Sequence, residues 1–314
     1  MSDLREEGVD SFVVTALGRQ FSAQARASVI DVLSVHGLRV ERSRMLSELG
    51  RSSFRYECEE FLTMGELRDA GPLRRDFLRL SDDLAIDVVL QKESEFETAK
   101  RLFCFDMDST LIQGETIDEL AKLAGAGDRV VAITASAMRG EIQFAESFRR
   151  RVELLKGLPE TRVLGVIERL PLMEGTERLF KTLRARGAKT AIFSGGFTFF
   201  GAVLKEKLGV DHVFANDLDI RDGHVTGEVN GRIVDGARKA ELLVEIAEKE
   251  GIPLERVVAV GDGANDLPML GLAGMGVAFH AKPVVRASAR FSVAQAGLDG
   301  LLYLLGLPDW EWVG

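Results

Sequence analysis

Cysteine and long apolar runs are scarce in this sequence, and each shortage argues against a class of protein. Only two cysteines, Cys58 and Cys104, occur among 314 residues, which argues against a disulfide-stapled secreted domain and favours a reducing compartment. No uninterrupted run of about 18 apolar residues occurs, and no basic-then-apolar signal segment opens the chain. The sequence therefore predicts a cytoplasmic protein that has no membrane partner.

Basic charge and aromatic residues are also in short supply. The chain carries 40 Lys and Arg against 49 Asp and Glu, a formal net charge of −9. Nucleic-acid binding needs a basic surface, so we expect no nucleic-acid partner. A small anionic substrate stays compatible with this balance, because one local basic site is enough to hold it. Aromatic residues make up 7 % of the chain, which predicts a mainly aliphatic core.

The length and the pattern of the first part predict two domains, residues 1–95 and 96–314, since a domain typically has roughly 100–200 residues. Residues 11–91 follow the order β-α-β-β-α-β, a ferredoxin-like pattern. Phe54, Tyr56 and Cys58 alternate with polar residues at the strand period, and Pro72 suits the first position of a helix. The polar residues 92–100 read as a linker.

From residue 101 the sequence pattern changes to short apolar runs that each end in a cluster of small or acidic residues. These runs are RLFCFDMD, KTAIFSGG, RVVAVGDG and MGVAFHAK. Continuous apolar strands with helices between them predict a parallel sheet covered on both faces. Ligands bind at the carboxyl ends of such strands, where the polar clusters lie. Residues 118–170 interrupt the pattern with helical sequence only, which predicts a cap inserted after the first core strand.

Two acidic clusters directly follow apolar runs. Asp106 and Asp108 come after the first run, and Asp262 and Asp266 come after the third. One or two carboxylates together with substrate oxygens suit Mg²⁺, which prefers oxygen ligands. Taken alone, Asp106 and Asp108 are also compatible with an ordinary loop. Asp266 is likewise compatible with a helix cap ahead of Pro268.

Two further features of the sequence suit the binding of a phosphate group. Ser194, Gly195 and Gly196 follow the second run, and backbone N–H groups beside glycines can approach an oxyanion closely. A plain strand-to-helix turn explains this cluster equally well. Lys239 lies early in a helix predicted over residues 238–248, where a cation opposes the helix dipole. It is either a solvated side chain or a cation aimed at a phosphate.

In this order the clusters DMDST, SGG, Lys239 and GDGAND resemble the haloacid dehalogenase superfamily of phosphohydrolases over residues 101–290. The resemblance implies a Rossmannoid core with a helical cap, and Asp106 as the nucleophile. Asp108 would be the general acid and then the general base. The implied Mg²⁺ ligands are Asp106, Asp262 and the main-chain carbonyl of Asp108, with Asp266 in support. The implied phosphate-binding residues are Ser194, Gly195, Gly196, Lys239 and Asn265.

The cap sequence bears on the rest of the substrate. On a helical wheel, Arg151 lies about 20° from Phe144, beside an apolar stripe, so it is the arginine of the triplet 149–151 best placed to point inward. A surface arginine that covers apolar neighbours with its stem is the alternative. The cap stretches are similar to those of phosphoserine phosphatases. That likeness implies that Glu115 binds the substrate ammonium, Arg151 its carboxylate, and that Met138 and Phe144 line the pocket.

We therefore expect a Mg²⁺-dependent hydrolase of O-phospho-L-serine, acting in the last step of serine biosynthesis. A phosphatase or phosphotransferase for another small phosphate ester is the alternative. A non-catalytic binding protein with the same fold is a weaker alternative, because every residue that the motifs need for catalysis is present. The first domain resembles the amino-acid-binding ACT module. Its turn at residues 17–21 lacks that module's usual Asp-Arg-x-Gly, which leaves open an effector site, a homodimer contact and a purely structural role.

Overall fold

The computed structural model describes residues 10–48 and 56–314 and contains two β-sheets. The predicted strand residue Phe54 lies outside the described residues. The first sheet has four strands in the order β2-β3-β1-β4, all antiparallel. The second has seven strands in the order β11-β10-β9-β5-β6-β7-β8. The predicted combination of a ferredoxin-like α+β unit and a parallel α/β unit is confirmed.

The first unit has the predicted β-α-β-β-α-β order. Its elements are β1 (Asp10–Gly18), α1 (Ala23–Val35), β2 (Arg39–Met45), β3 (Glu57–Gly65), α2 (Gly71–Leu84) and β4 (Ile86–Lys92). Pro72 stands in the first turn of α2, as predicted. Ser22 caps α1, because its hydroxyl accepts a hydrogen bond from the Ala25 N–H at 3.1 Å. The predicted linker carries a short helix, α3 (Glu93–Phe96).

Strand alternation divides the apolar residues of the four-stranded sheet between its two faces. On β1, Phe12, Val14 and Ala16 pack against α1 and α2. Leu17 belongs to a different cluster, which continues into the second unit through Leu301 and Tyr303. Along β1 and β4 both faces of the sheet are therefore buried, one by its own helices and the other by the rest of the chain, whereas β2 at the edge is largely exposed.

The second sheet is parallel except for its last pair. Its strands are β5 (Leu102–Phe105), β6 (Lys189–Phe197), β7 (His212–Arg221), β8 (His224–Asn230), β9 (Val257–Gly261), β10 (Met275–Phe279) and β11 (Phe291–Val293). β7 and β8 form an antiparallel hairpin at one edge. The central strands β5 and β9 are buried at every residue, which explains why they read as continuous apolar runs.

Helices surround this sheet and form the cap. The cap helices lie between β5 and β6: α4 (Thr116–Leu123), α5 (Gly127–Met138), α6 (Phe144–Glu153) and α7 (Glu160–Leu164). The other helices are α8 (Thr176–Ala185), α9 (Thr198–Leu208), α10 (Gly236–Lys249), α11 (Leu267–Leu272), α12 (Pro283–Ser288) and α13 (Gly300–Leu304). Across the described ranges, no helix is long and apolar enough to cross a bilayer.

The two units are joined by buried polar contacts as well as apolar ones. Asp87 on β4 is buried, and its carboxylate accepts four hydrogen bonds of 2.7–3.2 Å from the N–H groups of residues 294–296. The Gln91 amide donates to the Leu304 carbonyl at 2.9 Å. Arg19, in the turn that departs from the ACT pattern, pairs with Glu174 at 2.8 Å. This turn is thus occupied by a contact between the units.

The two tryptophans of the carboxyl-terminal tail, residues 308–314, differ in burial. Trp312 is buried, its ring lies 4.5 Å from that of Tyr303, and its Nε1 donates to the Leu307 carbonyl at 3.0 Å. Trp310, however, is 52 % exposed. Trp312 therefore anchors the tail, whereas Trp310, in a short 3₁₀ turn, points to solvent.

Candidate active site

The polar clusters meet at the carboxyl ends of β5, β6 and β9. Asp106 directly follows β5, and its N–H donates to the Val260 carbonyl at 2.9 Å. Asp262 directly follows β9, and Ser194 lies in the last half of β6. Because β5 pairs with both β6 and β9, the parallel register brings three separate sequence motifs to one edge of the sheet.

Asp106 is buried and has one engaged and one open oxygen. Oδ1 accepts from the Met107 N–H at 2.7 Å and lies 2.8 Å from Lys239 Nζ. Oδ2 accepts no hydrogen bond from the described residues. Burial raises the pKa of Asp106, as does the neighbouring Asp266, while Lys239 acts in the opposite sense. The geometry leaves Oδ2 available as a nucleophile or a metal ligand.

Lys239 is completely buried, so the solvated alternative for this residue is wrong. Its Nζ lies 2.8 Å from Asp106 Oδ1 and 2.7 Å from Asp266 Oδ1. Burial disfavours its charge, but the two carboxylates outweigh that and raise the pKa of Lys239 above its usual value. Asp235 caps α10 by accepting from the Arg238 N–H at 2.9 Å, which fixes the helix turn that carries Lys239.

Asp266 does not cap α11 with its side chain, contrary to the helix-cap alternative. Oδ1 pairs with Lys239, and Oδ2 accepts from the Gly263 N–H at 2.9 Å. Both oxygens are thus engaged within the chain. Asp266 therefore orients Lys239 and the loop after β9.

Asp106, Asp262 and Asp266 place carboxylate oxygens within 4.8 Å of one another. The Thr110 hydroxyl donates to Asp262 Oδ1 at 3.2 Å. Burial, and then the charges of Asp266 and Glu115, raise the pKa of Asp262 to about 7. Crowded acidic oxygens of this kind fit a hard divalent cation, which would offset their mutual repulsion.

The end of β6 at residues 194–196 is held by hydrogen bonds to both ends of the peptide unit between Gly195 and Gly196. The Gly196 N–H donates to Ser194 Oγ at 2.8 Å, and the Gly195 carbonyl accepts from Asn216 Nδ2 at 2.9 Å. Asn216 is buried, and its Oδ1 accepts from the Val234 N–H at 2.9 Å. Because Ser194 Oγ already accepts, its own hydrogen is free to donate to an oxyanion.

Asp108 lies beside the cap. Its carboxylate accepts two hydrogen bonds from Thr116, the first residue of α4, at 3.0 and 3.2 Å. Burial, and then the charge of Glu115, raise the pKa of Asp108 to about 8. A carboxyl that keeps its proton near neutral pH is suited to act as a general acid.

Two of the predicted cap residues, Phe144 and Arg151, lie on α6. Arg151 is half-buried and forms no ion pair within 4 Å among the described residues. Burial lowers its pKa, and the charges that act against this belong to Glu115, Asp118 and Asp108. The Phe144 ring lies against the end of β6, 3.2 Å from the place where a Cβ on Gly195 would sit.

The remaining predicted residues are Met138, Glu115 and Asn265. Met138 is 62 % exposed, and its sulfur lies 3.7 Å from Lys282 Nζ. Glu115 is exposed and accepts a hydrogen bond from the Ser109 hydroxyl at 2.9 Å. Asn265 packs with its carbonyl against Gly236 at the start of α10, where an added Cβ would lie 2.6 Å from the oxygen. This contact joins the loop after β9 to the start of α10, the helix that carries Lys239.

Comparisons with known proteins agree with this geometry. Residues 100–274 match the haloacid dehalogenase-like hydrolase family. The phosphoserine phosphatase of Archaeoglobus fulgidus is 49 % identical over 79 % of this chain and 72 % of its own length. The chain belongs to the phosphoserine phosphatase family of haloacid dehalogenase-like hydrolases.

Solved structures extend this family assignment. The unliganded probable phosphoserine phosphatase of Vibrio cholerae has a TM-score of 0.75 and 37 % identity, covering 96 % of this chain and 88 % of its own. The structure of a phospho-aspartyl intermediate analogue of phosphoserine phosphatase has a TM-score of 0.62 and 45 % identity, covering 66 % of this chain and 99 % of its own. The likeness to the first of these therefore includes the amino-terminal unit.

Four residues that bear on the site were not found from sequence: Ser109, Thr110, Thr116 and Asn216. Each donates a side-chain hydrogen bond to a predicted site residue, and Thr116 also donates its N–H. Ser109 and Thr110 stand inside the DMDST motif but were given no role. Asn216 lies within β7 and follows the short apolar run at residues 213–215, and this position is the one signal that would have found it.

Proposed function

We propose that this chain hydrolyses O-phospho-L-serine to L-serine and phosphate through a phospho-aspartate at Asp106. The observation that carries the proposal is the pairing of a buried carboxylate and lysine at the sheet edge with Arg151, a half-buried cation without an ion-pair partner within 4 Å among the described residues. The first pair suits a phosphoryl group, and Arg151 suits a second anionic group of the same substrate. The family assignment supports the same substrate.

The reaction divides into two balanced steps. Asp106 Oδ2 attacks phosphorus, the bond to the ester oxygen breaks, and Asp108 gives that oxygen its proton. Asp108, now ionised, takes a proton from water while the water oxygen attacks the phospho-aspartate, which releases phosphate and restores Asp106. Lys239 and Ser194 hold the equatorial phosphoryl oxygens throughout.

The proposed cofactor is Mg²⁺, held by Asp106, Asp262 and the main-chain carbonyl of Asp108. When bound, it supplies positive charge between the phosphoryl group and the carboxylates. The two engaged oxygens of Asp266 support this arrangement by fixing the loop after β9. Asn265, Gly195 and Gly196 complete the phosphate side of the pocket.

On the substrate's other side, Glu115 binds the ammonium group and Arg151 the carboxylate. Phe144 forms an apolar wall against Gly195, and Met138 closes the pocket from the edge of α5. The reaction would be the last step of serine biosynthesis. The two buried free thiols, Cys58 and Cys104, support a cytoplasmic location.

The test is phosphate release from L-phosphoserine, L-phosphothreonine and p-nitrophenyl phosphate, each with Mg²⁺ and with excess chelator. We expect a strong preference for phosphoserine that is lost with chelator. Turnover that depends on Mg²⁺ but shows no preference would refute the roles of Glu115 and Arg151. Serine formation that exceeds phosphate release in the presence of an added alcohol would indicate a phosphotransferase.

Arg151→Ala is expected to lower kcat/KM for phosphoserine by about 100-fold, since a buried charge-assisted pair contributes on the order of 3 kcal/mol. We expect a much smaller loss for p-nitrophenyl phosphate, which has no carboxylate. Arg149→Ala is the matched control, because Arg149 is an exposed arginine on the same helix. Equal losses on both substrates would show that Arg151 does not bind the carboxylate of the substrate.

Cation binding is expected to depend on pH. The pKa values of Asp262 and Asp108, raised to about 7 and about 8, lie above their unfolded-state values. Without a cation, these groups therefore lower stability as pH rises through about 4 to 8, because the unfolded chain loses the protons first. Mg²⁺ relieves that cost, so it should raise Tm more at pH 8 than at pH 6. Asp262→Asn should reduce this difference, and an equal shift at both pH values would contradict the assignment.

A further inference from the structure

The segment between Asp108 and Thr116 is closed by a set of crossed hydrogen bonds, which we call the clasp (Asp108, Ser109, Glu115 and Thr116). Thr116 Oγ1 donates to Asp108 Oδ2 at 3.0 Å, and the Thr116 N–H donates to Asp108 Oδ1 at 3.2 Å. Ser109 Oγ donates to Glu115 Oε1 at 2.9 Å. The Ser109 N–H also donates to the Gly114 carbonyl at 3.1 Å.

The bonds of the clasp are reciprocal. Ser109 follows the acid Asp108 in sequence and holds Glu115. Thr116 follows Glu115 and holds Asp108. A displacement of either carboxylate therefore pulls on the residue that fixes the other one. The two acids are connected through hydroxyl groups that occupy no catalytic or substrate-binding position of their own.

The backbone supports this connection. Ser109 has φ +56°, a left-handed conformation that a non-glycine residue adopts at a cost of about 1 kcal/mol. In that conformation its N–H meets Gly114 and its hydroxyl meets Glu115. The strained residue is thus retained where it closes the loop that carries both acids.

Gly196, at the end of β6, packs against the clasp from the other side. A Cβ on Gly196 would lie 2.7 Å from Asp108 Oδ2 and 2.8 Å from Thr116 Oγ1. Thr116 itself has no exposed surface. The Asp108 carboxylate is therefore fixed by Thr116 and walled in by Gly196, whereas Glu115, at the other end of the clasp, is exposed and accessible to a ligand.

We propose that Ser109 and Thr116 are positioning residues, and that through them the substrate's amino group at Glu115 helps to hold the acid Asp108 in place. The proposal rests on the proposed function, which assigns the ammonium to Glu115. Binding energy at a remote group of the substrate is then used to orient the group that protonates the leaving oxygen.

The first test removes the Thr116 hydroxyl with Thr116→Val and keeps it with Thr116→Ser. The substrates are phenyl phosphate, whose leaving group needs a proton, and p-nitrophenyl phosphate, whose leaving group does not. We expect single-turnover cleavage of phenyl phosphate to slow by about 10- to 100-fold, within the range that general acids contribute. The nitrophenolate burst should change far less, and Thr116→Ser should restore most of the loss.

Equal slowing of the two aryl phosphates in the first turnover would refute positioning of the acid, because a general loss of structure slows both alike. Full activity of Thr116→Val would refute it as well. This comparison does not use phosphoserine. It therefore still decides the role of Thr116 if wild-type protein fails to hydrolyse phosphoserine, a result that would refute the proposed function instead.

The second test measures the coupling with Ser109→Ala, Thr116→Val and the double variant, using phosphoserine and phosphoglycolate, which has no amino group. Ser109→Ala should raise KM and lower kcat for phosphoserine, together by about 10-fold in kcat/KM, and should affect phosphoglycolate less. Ser288→Ala is the control, because this exposed hydroxyl donates only to a backbone carbonyl.

With phosphoserine, the loss in the double variant should be clearly smaller than the product of the two single losses, since both changes open the same clasp. With phosphoglycolate, the two losses should multiply. Multiplying losses on phosphoserine would show that Ser109 and Thr116 act independently and would overturn the coupling. Non-additivity that is equal on both substrates would show that the amino group plays no part in it.

Discussion

Asp106→Asn is expected to lower phosphoserine turnover by at least about 10⁴-fold, as loss of a covalent nucleophile typically does. The amide is nearly isosteric, and its oxygen can still accept from the Met107 N–H. Lys239 keeps Asp266 as a partner at 2.7 Å. The fold should therefore persist while the attacking oxygen is lost.

The experiment combines steady-state phosphate release with acid quenching of ³²P-labelled substrate. Wild-type protein should retain label on the chain, and Asp106→Asn should retain none. Asp31→Asn on the exposed side of α1 is the matched control. Mass spectrometry should confirm that the introduced amide has not deamidated back to aspartate. Ordinary phosphate release by an intact variant would remove Asp106 as the nucleophile.

Lys239→Met is expected to have the second largest effect, and it acts on stability as well as on rate. Methionine keeps most of the buried stem, but Asp106 and Asp266 lose the cation between them. Removing one partner from a buried ion pair costs about 3–5 kcal/mol, so Tm should fall by on the order of 10 °C. All phosphate esters should lose activity alike, because the proposed role of Lys239 toward the substrate is confined to the phosphoryl group.

The loss of stability should shrink at acid pH. Burial raises the pKa of Asp106, so this carboxyl takes up its proton readily once Lys239 no longer opposes it. The exposed Lys205→Met serves as the control. A variant as stable as wild type at pH 8 would contradict the account of Lys239 as the charge that holds this site together. A loss of activity confined to phosphoserine would contradict its role at the phosphate.

Sequence patterns located the strand ends well, because buried parallel strands are continuous apolar runs with a polar residue at the carboxyl end. Asp106 and Asp262 were placed in this way, and both lie at the predicted edge of the sheet. The helical wheel identified Arg151 as the arginine of the triplet 149–151 that points inward, and it is the half-buried one. This succeeded because its angular separation from Phe144 depends only on helical periodicity.

The environment of Lys239 could not be read in the same way. A lysine in the first turn of an amphipathic helix has the same sequence signature whether it is solvated or buried. The two carboxylates that stabilise its charge come from positions 133 residues before it and 27 residues after it. The Asp266 side chain was ambiguous for a related reason, because Pro268 marks a helix start without revealing which groups the carboxylate binds.

The clasp was also out of reach. Thr116 follows Glu115 at a helix start, and Ser109, in the same clasp, has a left-handed conformation toward which serine has no sequence bias. The same limit applies to Asp87. The three N–H groups that donate its four hydrogen bonds lie more than 200 residues further along the chain, and no local pattern marks such a long-range contact.

The contact between the four-stranded sheet and residues 301–304 has a consequence for protein synthesis. Leu17 and Val89 emerge early from the ribosome, whereas the residues that cover them are made roughly 200–280 positions later. At about 5–20 residues per second, translation leaves that apolar face without its partner for roughly 10–60 s. The nascent chain must therefore hold a half-covered sheet free of aggregation for that time. A transcript truncated before residue 301 would yield a product in which the face is never covered.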